Sequence, residues 1–148
     1  MALEEYGKKR DFSKTGEPKG SVKSTGKDVF VVQEHHASHL HWDLRLELDG
    51  VLKSWAVPKE PPLGTGVKRL AVMTEDHPID YASFEGEIPK GQYGAGSVRI
   101  WDSGTYELKE RTGDKIEFLP KGKRLAGTYV LIRFKRAGPK GWLLFKAK

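Results

Sequence analysis

The chain has 148 residues and a formal net charge of +6, with 37% hydrophobic and 10% aromatic residues, a composition typical of one folded domain and not of a disordered chain. Cysteine is absent, which excludes disulfides and thiolate ligands, so any bound metal would be held by His, Asp or Glu. No apolar stretch approaches the ~20 residues needed to span a bilayer, and the N-terminus lacks a secretory signal core, so we expect a cytoplasmic protein without membrane contact.

The charge is distributed unevenly along the chain. Residues 1–28 carry a net charge of +2, residues 29–108 carry −5 and residues 109–148 carry +9. A nucleic-acid enzyme can use both signs, because cations contact phosphates while carboxylates hold a metal. A solvated lysine-rich surface explains the basic end equally well, so charge alone does not assign a function.

The first strongly patterned segments follow residue 28. Residues 1–28 are polar and interrupted by glycine and proline, which predicts an extended arm that packs on the domain formed by residues 29–148. VFVVQ (29–33) is a β-branched run of strand length. LHWDLRLEL (40–48) alternates apolar and polar residues, and Asp49 and Gly50 then form a two-residue turn typical of a hairpin. Leucine at every second position also occurs in a buried helix, but strict alternation and the short length favour a strand.

The rest of the chain continues in short strand-like runs separated by Gly, Pro or Asp. These runs are VLKSWAV, KRLAVMTE, SVRIWDSG, TYELKE, KIEFLP, GTYVLIRF and GWLLFKAK. Their spacing predicts an all-β fold with minor helix, an antiparallel barrel or sandwich. The glycine-rich segment GEIPKGQYGAGSV (86–98) lacks the G-x4-G-K-[ST] pattern of a phosphate-binding loop, so we interpret it as a tight connection between strands.

The strand at 40–48 carries the residues best suited to catalysis. His41, Asp43 and Arg45 project from one face, at steps of ~6.5–7 Å, opposite a leucine and tryptophan face that predicts the core. His41 and Asp43 suit a divalent ion, with His35 reaching it from the preceding loop, and Arg45 suits bidentate contact with phosphate oxygens. A metal site with only three protein ligands would leave positions for water and a phosphate oxygen. The alternative to a functional site is a polar strand face that is simply solvated.

A second candidate segment is TEDHPIDY (74–81). Pro78 restricts His77 to an extended backbone, and Tyr81 lies just beyond. His77 could act as a phosphate ligand or general acid, although the segment alone also reads as an acidic turn. Among the remaining aromatic residues, Tyr93 and Tyr106 are candidates for stacking on a base, but their spacing singles out neither.

These segments together resemble a known family. The stretch VVQEHHASHLHWDLRLELDGVLKSWAVPKEPP, followed by KRLAVMTEDHPIDYASFEGEIPKGQYGAGSVRIWDSGTYE, is similar to the 3′-phosphoesterase domain of bacterial DNA ligase D. RDFSKTGEP (10–18) resembles the N-terminal segment of that family and GWLLFKAK its last strand, so the resemblance covers nearly the whole chain. Two positions depart from the family pattern. The family often has Asp or another residue at the position of His36, and Arg or Lys at the position of His39.

The resemblance implies a compact antiparallel β-barrel and a manganese-dependent hydrolase that heals 3′ ends in non-homologous end joining. Co²⁺ or Zn²⁺ are alternative metals. The implied partners are the 3′ ends of DNA or DNA–RNA primer-templates and, on separate chains, a DNA ligase or polymerase and Ku. The implied activities are removal of 3′ ribonucleotides by a phosphodiesterase and of 3′ phosphates by a phosphomonoesterase.

The resemblance also implies roles for individual residues. The metal ligands would be His35, His41 and Asp43. Residues matching phosphate-binding or basic positions near the site are Arg45, His77, Lys59 and Arg69; Tyr81 matches a position needed for activity, and Arg10, Asp11 and Glu17 match positions linked to the monoesterase. Two rival interpretations are a non-catalytic DNA-end-binding barrel and a metal-binding barrel of the cupin type, in which Arg45 has no natural role.

Overall fold

The computed structural model describes residues 3–20 and 25–148, and in these residues nine β-strands form one antiparallel sheet. The elements in chain order are α1 (Glu4–Lys8), β1 (Val29–His36), β2 (Leu40–Leu48), β3 (Val51–Val57), β4 (Lys68–Met73), a 3₁₀ turn (Ile79–Ser83), β5 (Gly86–Ile88), β6 (Gly96–Arg111), β7 (Lys115–Lys121), β8 (Tyr129–Arg133), a second 3₁₀ turn (Lys135–Ala137) and β9 (Gly141–Lys146). None of the described helices is long and apolar enough to cross a membrane.

The sheet closes on itself into a barrel. Its strands are paired in the order β1-β2-β3-β4-β9-β8-β7-β6, and β6 pairs back onto β1 to complete a ring of eight, with β5 attached to the start of β6. Closure leaves no free edge strand in the ring. The predicted all-β barrel with minor helix is therefore confirmed.

The core fills the barrel with alternate side chains of the strands. Trp42, Leu44 and Leu46 of β2 point into it, together with all three other tryptophans of the chain. Between β2 and β3, Asp49 and Gly50 both have positive φ (58° and 78°), as the predicted two-residue hairpin turn requires. The leucine and tryptophan face of β2 is thus the core face, as its alternation predicted.

The opposite face of β2 is also covered. Asp43, Arg45 and Glu47 are each less than 7% exposed. A second apolar cluster lies outside the barrel on this side, where Tyr6 of α1 packs with Leu52 and residues of the first 3₁₀ turn. The predicted extended arm thus contains a short helix in contact with the barrel, whereas its residues 1–2 and 21–24 lie outside the described part of the chain. The division into an arm and a domain at residue 28 stays a prediction.

Two runs that the sequence analysis separated form one strand. We expected SVRIWDSG and TYELKE to be divided at Gly104, but β6 continues through this residue. A Cβ at Gly104 would lie 2.4 Å from the carbonyl oxygen of Lys121, so glycine is required there by the close approach of β7 and does not mark a turn. The 86–98 segment likewise contains β5 and the start of β6, which the sequence analysis interpreted as a connection.

A buried carboxylate, Asp102 of β6, holds the basic loop that follows β7. Its two oxygens accept backbone N–H groups of Ser103, Lys123, Arg124 and Leu125 at 2.8–3.1 Å. A Cβ on Gly122 would lie 2.2 Å from the carboxylate, so the loop is closely packed against it. The loop geometry therefore depends on one side chain.

We expect Asp102→Ala to lower the free energy of unfolding by about 3 kcal/mol, because several buried N–H donors would lose a charged acceptor. Asp102→Asn, which keeps one carbonyl oxygen, should lose less. Glu107→Ala, at an exposed position of the same strand, should change stability by less than ~0.5 kcal/mol. Urea denaturation with an unchanged slope would measure these differences; an Asp102→Ala midpoint equal to that of Glu107→Ala would contradict this role.

Candidate active site

The candidate metal ligands come from two paired strands. In the antiparallel register of β1 and β2, His35 lies directly opposite His41, and Gln33 lies opposite Asp43. His35 therefore belongs to β1. The expectation that it lies in a loop before the strand was wrong. Cross-strand neighbours on one face lie close together, so this pairing brings the two imidazoles and the carboxylate to one point.

The donor atoms of this triad can all reach one ion. One ligand atom each from His35, His41 and Asp43 lies within 4.8 Å of the other two. The aspartate Oδ2 lies 3.5 Å from Nδ1 of His35 and 3.2 Å from Nε2 of His41. Two imidazoles and one carboxylate, without sulfur, suit Mn²⁺, Co²⁺ or Zn²⁺, so the residues fit the metal that the sequence analysis expected.

Each histidine of the triad is oriented by a backbone carbonyl. His35 Nε2 lies 2.7 Å from the Gly94 oxygen, and His41 Nδ1 lies 3.2 Å from the His39 oxygen. A carbonyl only accepts, so these ring nitrogens donate to it, which leaves Nδ1 of His35 and Nε2 of His41 facing Asp43 Oδ2, where each can donate to the carboxylate or, without its proton, ligate a metal. This is the arrangement that orients metal-ligating histidines in proteins.

The charge of Asp43 is stabilised by its neighbours. Burial opposes ionisation of this carboxyl, but the Arg45 guanidinium 3.5 Å away and hydrogen bonds from both histidines hold its pKa well below the usual range. Burial opposes the charged form of His41, but its hydrogen bond to Asp43, the charge of that carboxylate and the His39 carbonyl together raise the pKa of this imidazole. The triad thus provides a permanent anion at the point where a cation would bind.

Arg45 is held in one orientation by its contacts. Its Nε donates to Gln33 Oε1 at 2.7 Å, and the Gln33 amide in turn donates to the carbonyls of Tyr81 and Phe84. The guanidinium carbon lies 4.8 Å from the centre of the Tyr81 ring. With Nε occupied, the two terminal nitrogens of the fork face the triad and His77. A fixed fork of this kind suits bidentate contact with a phosphate.

His77 lies between two guanidinium groups. Its backbone exchanges two hydrogen bonds with Leu52 of β3. Its Nδ1 lies 2.9 Å from the carbonyl oxygen of Glu75. That contact needs a proton on Nδ1, so the Arg45 nitrogen 3.2 Å away makes no hydrogen bond to it, and Nε2 is free to accept from Arg10 at 3.4 Å. Burial and the charges of Arg45 and Arg10 lower its pKa well below the usual value, so the ring is neutral.

The N-terminal segment contributes a buried ionic network. Arg10 donates to Glu17 Oε2 at 2.9 Å and to Glu75 Oε1 at 3.3 Å, and the Tyr81 hydroxyl donates to the same Glu17 oxygen at 2.6 Å. The side chains of Arg10, Glu17 and Glu75 are all less than 5% exposed. Residues far apart in sequence are thereby fixed around His77, with Arg10 on its Nε2 side.

A single cavity of about 290 Å³ joins these groups. Its wall includes the triad, Arg45, His77, Tyr81, Arg10, Glu75 and Tyr93. Two guanidinium groups and the candidate metal triad therefore face one space, next to apolar wall residues such as Ile88. An anion with an attached organic group fits this combination of walls.

Other candidates lie elsewhere. Asp11 is exposed and caps the turn at Ser13, Lys59 is exposed after β3, and Arg69 on β4 donates to the Glu60 carbonyl. In the described part of the chain, none of these three lines the cavity. His36 and His39 are exposed and also lie outside its wall; His36 contacts the carboxylate of Glu34 at 2.6 Å.

Sequence reasoning missed Gln33, Glu75 and Lys9. Gln33 is the one polar residue in the run VFVVQ, and its phase on the strand, two residues before His35, is the signal that could have placed it on the site face. Glu75 lies within the TEDHPIDY motif but has no signal of its own. Lys9, which lies 3.2 Å from Glu75, has no signal either, because only the folded chain brings the N-terminal segment here.

Comparison with known proteins identifies the family of the chain. A family model described as the DNA ligase D 3′-phosphoesterase domain matches residues 33–133, the part of the chain that carries the triad, Arg45 and His77. The chain belongs to this family. The family is described as a phosphoesterase domain, and phosphoesterases are hydrolases. The sequence motifs indicated the same family.

Members of the family with curated descriptions are longer proteins. The chain is 51% identical over 155 residues to the multifunctional non-homologous end joining protein LigD of Pseudomonas aeruginosa, covering 99% of this chain and 18% of that protein. It is 54% identical over 138 residues to the LigD DNA repair protein of Mycobacterium tuberculosis (88% and 18%) and 49% identical over 160 residues to LigD of Mycolicibacterium smegmatis (99% and 20%). The chain thus spans about a fifth of the length of these relatives.

Proposed function

We propose that this protein is a manganese-dependent phosphoesterase that heals nucleic-acid 3′ ends in non-homologous end joining. It removes a 3′ ribonucleotide as a phosphodiesterase and a 3′ phosphate as a phosphomonoesterase, leaving a 3′-hydroxyl. The observation that carries this proposal is the placement of a two-histidine, one-carboxylate triad beside a fixed arginine fork in one cavity. Family membership supports the same reaction class.

In this proposal His35, His41 and Asp43 hold a divalent ion, which is Mn²⁺, with Co²⁺ or Zn²⁺ as substitutes. When bound, such an ion supplies Lewis-acid chemistry at a phosphoryl oxygen and lowers the pKa of water. The chain supplies the rest of the site. Arg45 places its two terminal nitrogens on the phosphate oxygens, where the fixed guanidinium stabilises charge that develops during phosphoryl transfer.

His77 acts beside Arg45 as a second phosphate contact. The neutral ring is flanked by two guanidiniums, and a bound phosphate would add the negative charge that favours the imidazolium form, which donates from Nε2. Tyr81 supports this side of the cavity, because its ring packs against His77 and Arg45 and its hydroxyl is bonded to Glu17.

Arg10 extends the cationic wall of the cavity toward a terminal phosphate, and Glu17 holds Arg10 in place by accepting its Nε–H at 2.9 Å, which supports their link to the monoesterase activity. Asp11 acts on this activity through the turn that follows Arg10. Lys59 and Arg69 lie outside the cavity. They are proposed to contact phosphates of the nucleic-acid strand farther from its 3′ end. The partners in the cell are 3′ ends of DNA or DNA–RNA primer-templates, a ligase or polymerase and Ku, in the cytoplasm.

Metal removal tests this function. A labelled primer-template that ends in one ribonucleotide or in a 3′-phosphate is incubated with protein stripped by a chelator. We expect no shortening or dephosphorylation without metal and restoration of both by added Mn²⁺, because no other group of the cavity replaces the ion. The ratio of the two products ranks the two activities.

DNA binding that is salt-sensitive and unaffected by the chelator, with no product in either condition, would instead identify a non-catalytic DNA-end-binding barrel that uses the basic residues of 109–148.

A further inference from the structure

The glycine-rich segment 86–98 contributes one side chain to the mouth of the cavity. Tyr93 lies in a pair of tight turns closed by hydrogen bonds from Gln92 N to Pro89 O (3.0 Å) and from Ala95 N to Gln92 O (3.1 Å). The next residue, Gly94, gives its carbonyl to the metal-ligand candidate His35. The backbone on both sides of Tyr93 is therefore fixed relative to the triad.

The Tyr93 ring is exposed although it forms part of the cavity wall. Its exposed fraction is 46%, the second largest among the large hydrophobic residues described. A tyrosine with only a packing role would be covered, as Tyr6, Tyr81, Tyr106 and Tyr129 are in this protein. An aromatic face kept open at the entrance of a polar cavity needs another explanation.

Two cations support the ring from the N-terminal segment. Lys9 Nζ lies 4.7 Å from the ring centre and 3.4 Å from its hydroxyl, and the Arg10 guanidinium carbon lies 5.3 Å from the ring centre. These cations are themselves bound to Glu75, at 3.2 and 3.3 Å. Such cation–π contacts fix the orientation of the ring, while nearly half of the tyrosine stays exposed.

A flat, open, fixed aromatic ring beside a phosphate site suits a nucleobase. Every base has a π-face, so stacking binds bases with little sequence preference, as an enzyme that processes ends of any sequence requires. A phosphate has no such face and would contact Lys9 or Arg10 instead. The chemistry of the ring therefore indicates a base next to the reacting phosphate and not a second phosphate.

We propose that Tyr93, supported by Lys9 and Arg10, is a stacking platform for the nucleobase that adjoins the scissile phosphate. The proposal rests on the proposed function and adds a recognition element for the nucleoside. The base comes either from the 3′-terminal ribonucleotide or from the nucleotide on its 5′ side, since both flank the same phosphate. The platform places the nucleoside so that its phosphate meets Arg45 and the triad.

The test combines Tyr93→Ala with removal of single bases from the substrate. Dissociation constants are measured by fluorescence anisotropy for primer-templates that are intact, abasic at the 3′-terminal ribonucleotide, or abasic at the preceding nucleotide. We expect Tyr93→Ala to weaken binding of the intact end by about 5- to 100-fold, the range typical of one stacked base. On the substrate that lacks the stacked base, wild type and Tyr93→Ala should bind alike, and the position where this occurs identifies the base.

Two further variants sharpen the result. Tyr93→Phe keeps the ring and should retain the preference for the intact end, whereas Leu108→Ala, an exposed apolar residue outside the cavity wall, controls for surface truncation. An equal loss of affinity on all three substrates, or no loss on the intact one, would overturn the platform. Because binding is measured without turnover, these outcomes are independent of whether wild type processes the ends, which separates failure of this inference from failure of the proposed function.

Discussion

His41→Ala is expected to remove both metal binding and 3′-end processing. The substitution leaves His35 and Asp43 as the only members of the triad, and loss even of an outer-sphere partner of a metal ligand costs 10- to 100-fold in affinity or activity. We therefore expect Mn²⁺ affinity and turnover each to fall by at least ~100-fold. The ring is partly exposed, so its removal should leave the fold intact.

Mn²⁺ titration by calorimetry and single-turnover cleavage of a ribonucleotide-ended primer-template measure these two quantities. His36→Ala is the matched control, because His36 is a neighbouring exposed histidine that lies outside the cavity wall and should change neither. Thermal denaturation checks that both variants are folded. Normal Mn²⁺ affinity in His41→Ala would remove this residue from the metal site, and full turnover without measurable binding would remove the metal from the reaction.

Arg45→Lys is the second substitution with a large expected effect. Lysine keeps the charge but cannot bond Gln33 while also directing two nitrogens at the cavity, so the fixed fork is lost. Loss of a preorganised donor to a reacting oxyanion typically costs 10²–10³ in kcat, and we expect a decrease of that order. Mn²⁺ affinity should remain within about tenfold, since the triad itself is unchanged.

Steady-state kinetics on both substrate ends, with Mn²⁺ titration in parallel, separate these effects. Arg136→Lys, at an exposed arginine of the second 3₁₀ turn, controls for the exchange of guanidinium for ammonium. A loss of Mn²⁺ binding as large as the loss of kcat would make Arg45 a support of the triad and not a phosphate contact. Full activity of His35→Ala beside an inactive Arg45→Lys would contradict the role given to the metal.

The local pattern of β2 and β3 followed from the sequence. Period-two alternation put Trp42 and Leu44 on one face of β2 and Asp43 and Arg45 on the other, because successive side chains of a strand point to opposite faces. Asp49 and Gly50 fixed the turn, since both tolerate the positive φ that a two-residue hairpin requires. The absence of cysteine limited the metal donors to imidazoles and carboxylates. These features depend only on neighbours in the chain.

The register of different strands could not be read from the chain. The local sequence pattern does not predict that His35 lies opposite His41, because the register depends on how β1 pairs with β2 across a three-residue turn. The same pattern does not predict that Gly104 allows the close approach of β7 and does not form a turn. Both follow from backbone contacts between strands that the local pattern leaves unspecified.

The sequence by itself thus determined the alternation of β2, the hairpin and the residue types of the candidate metal triad, whereas the tertiary structure alone decided how the cavity is completed. Arg10 and Glu17 come from the N-terminal segment, His77 from the loop after β4, and Tyr93 from the turns after β5. Barrel closure and the packing of Tyr6 against Leu52 and Tyr81 bring them together. Such contacts join residues tens of positions apart and depend on burial of apolar surface by the whole fold, which no short window of sequence encodes.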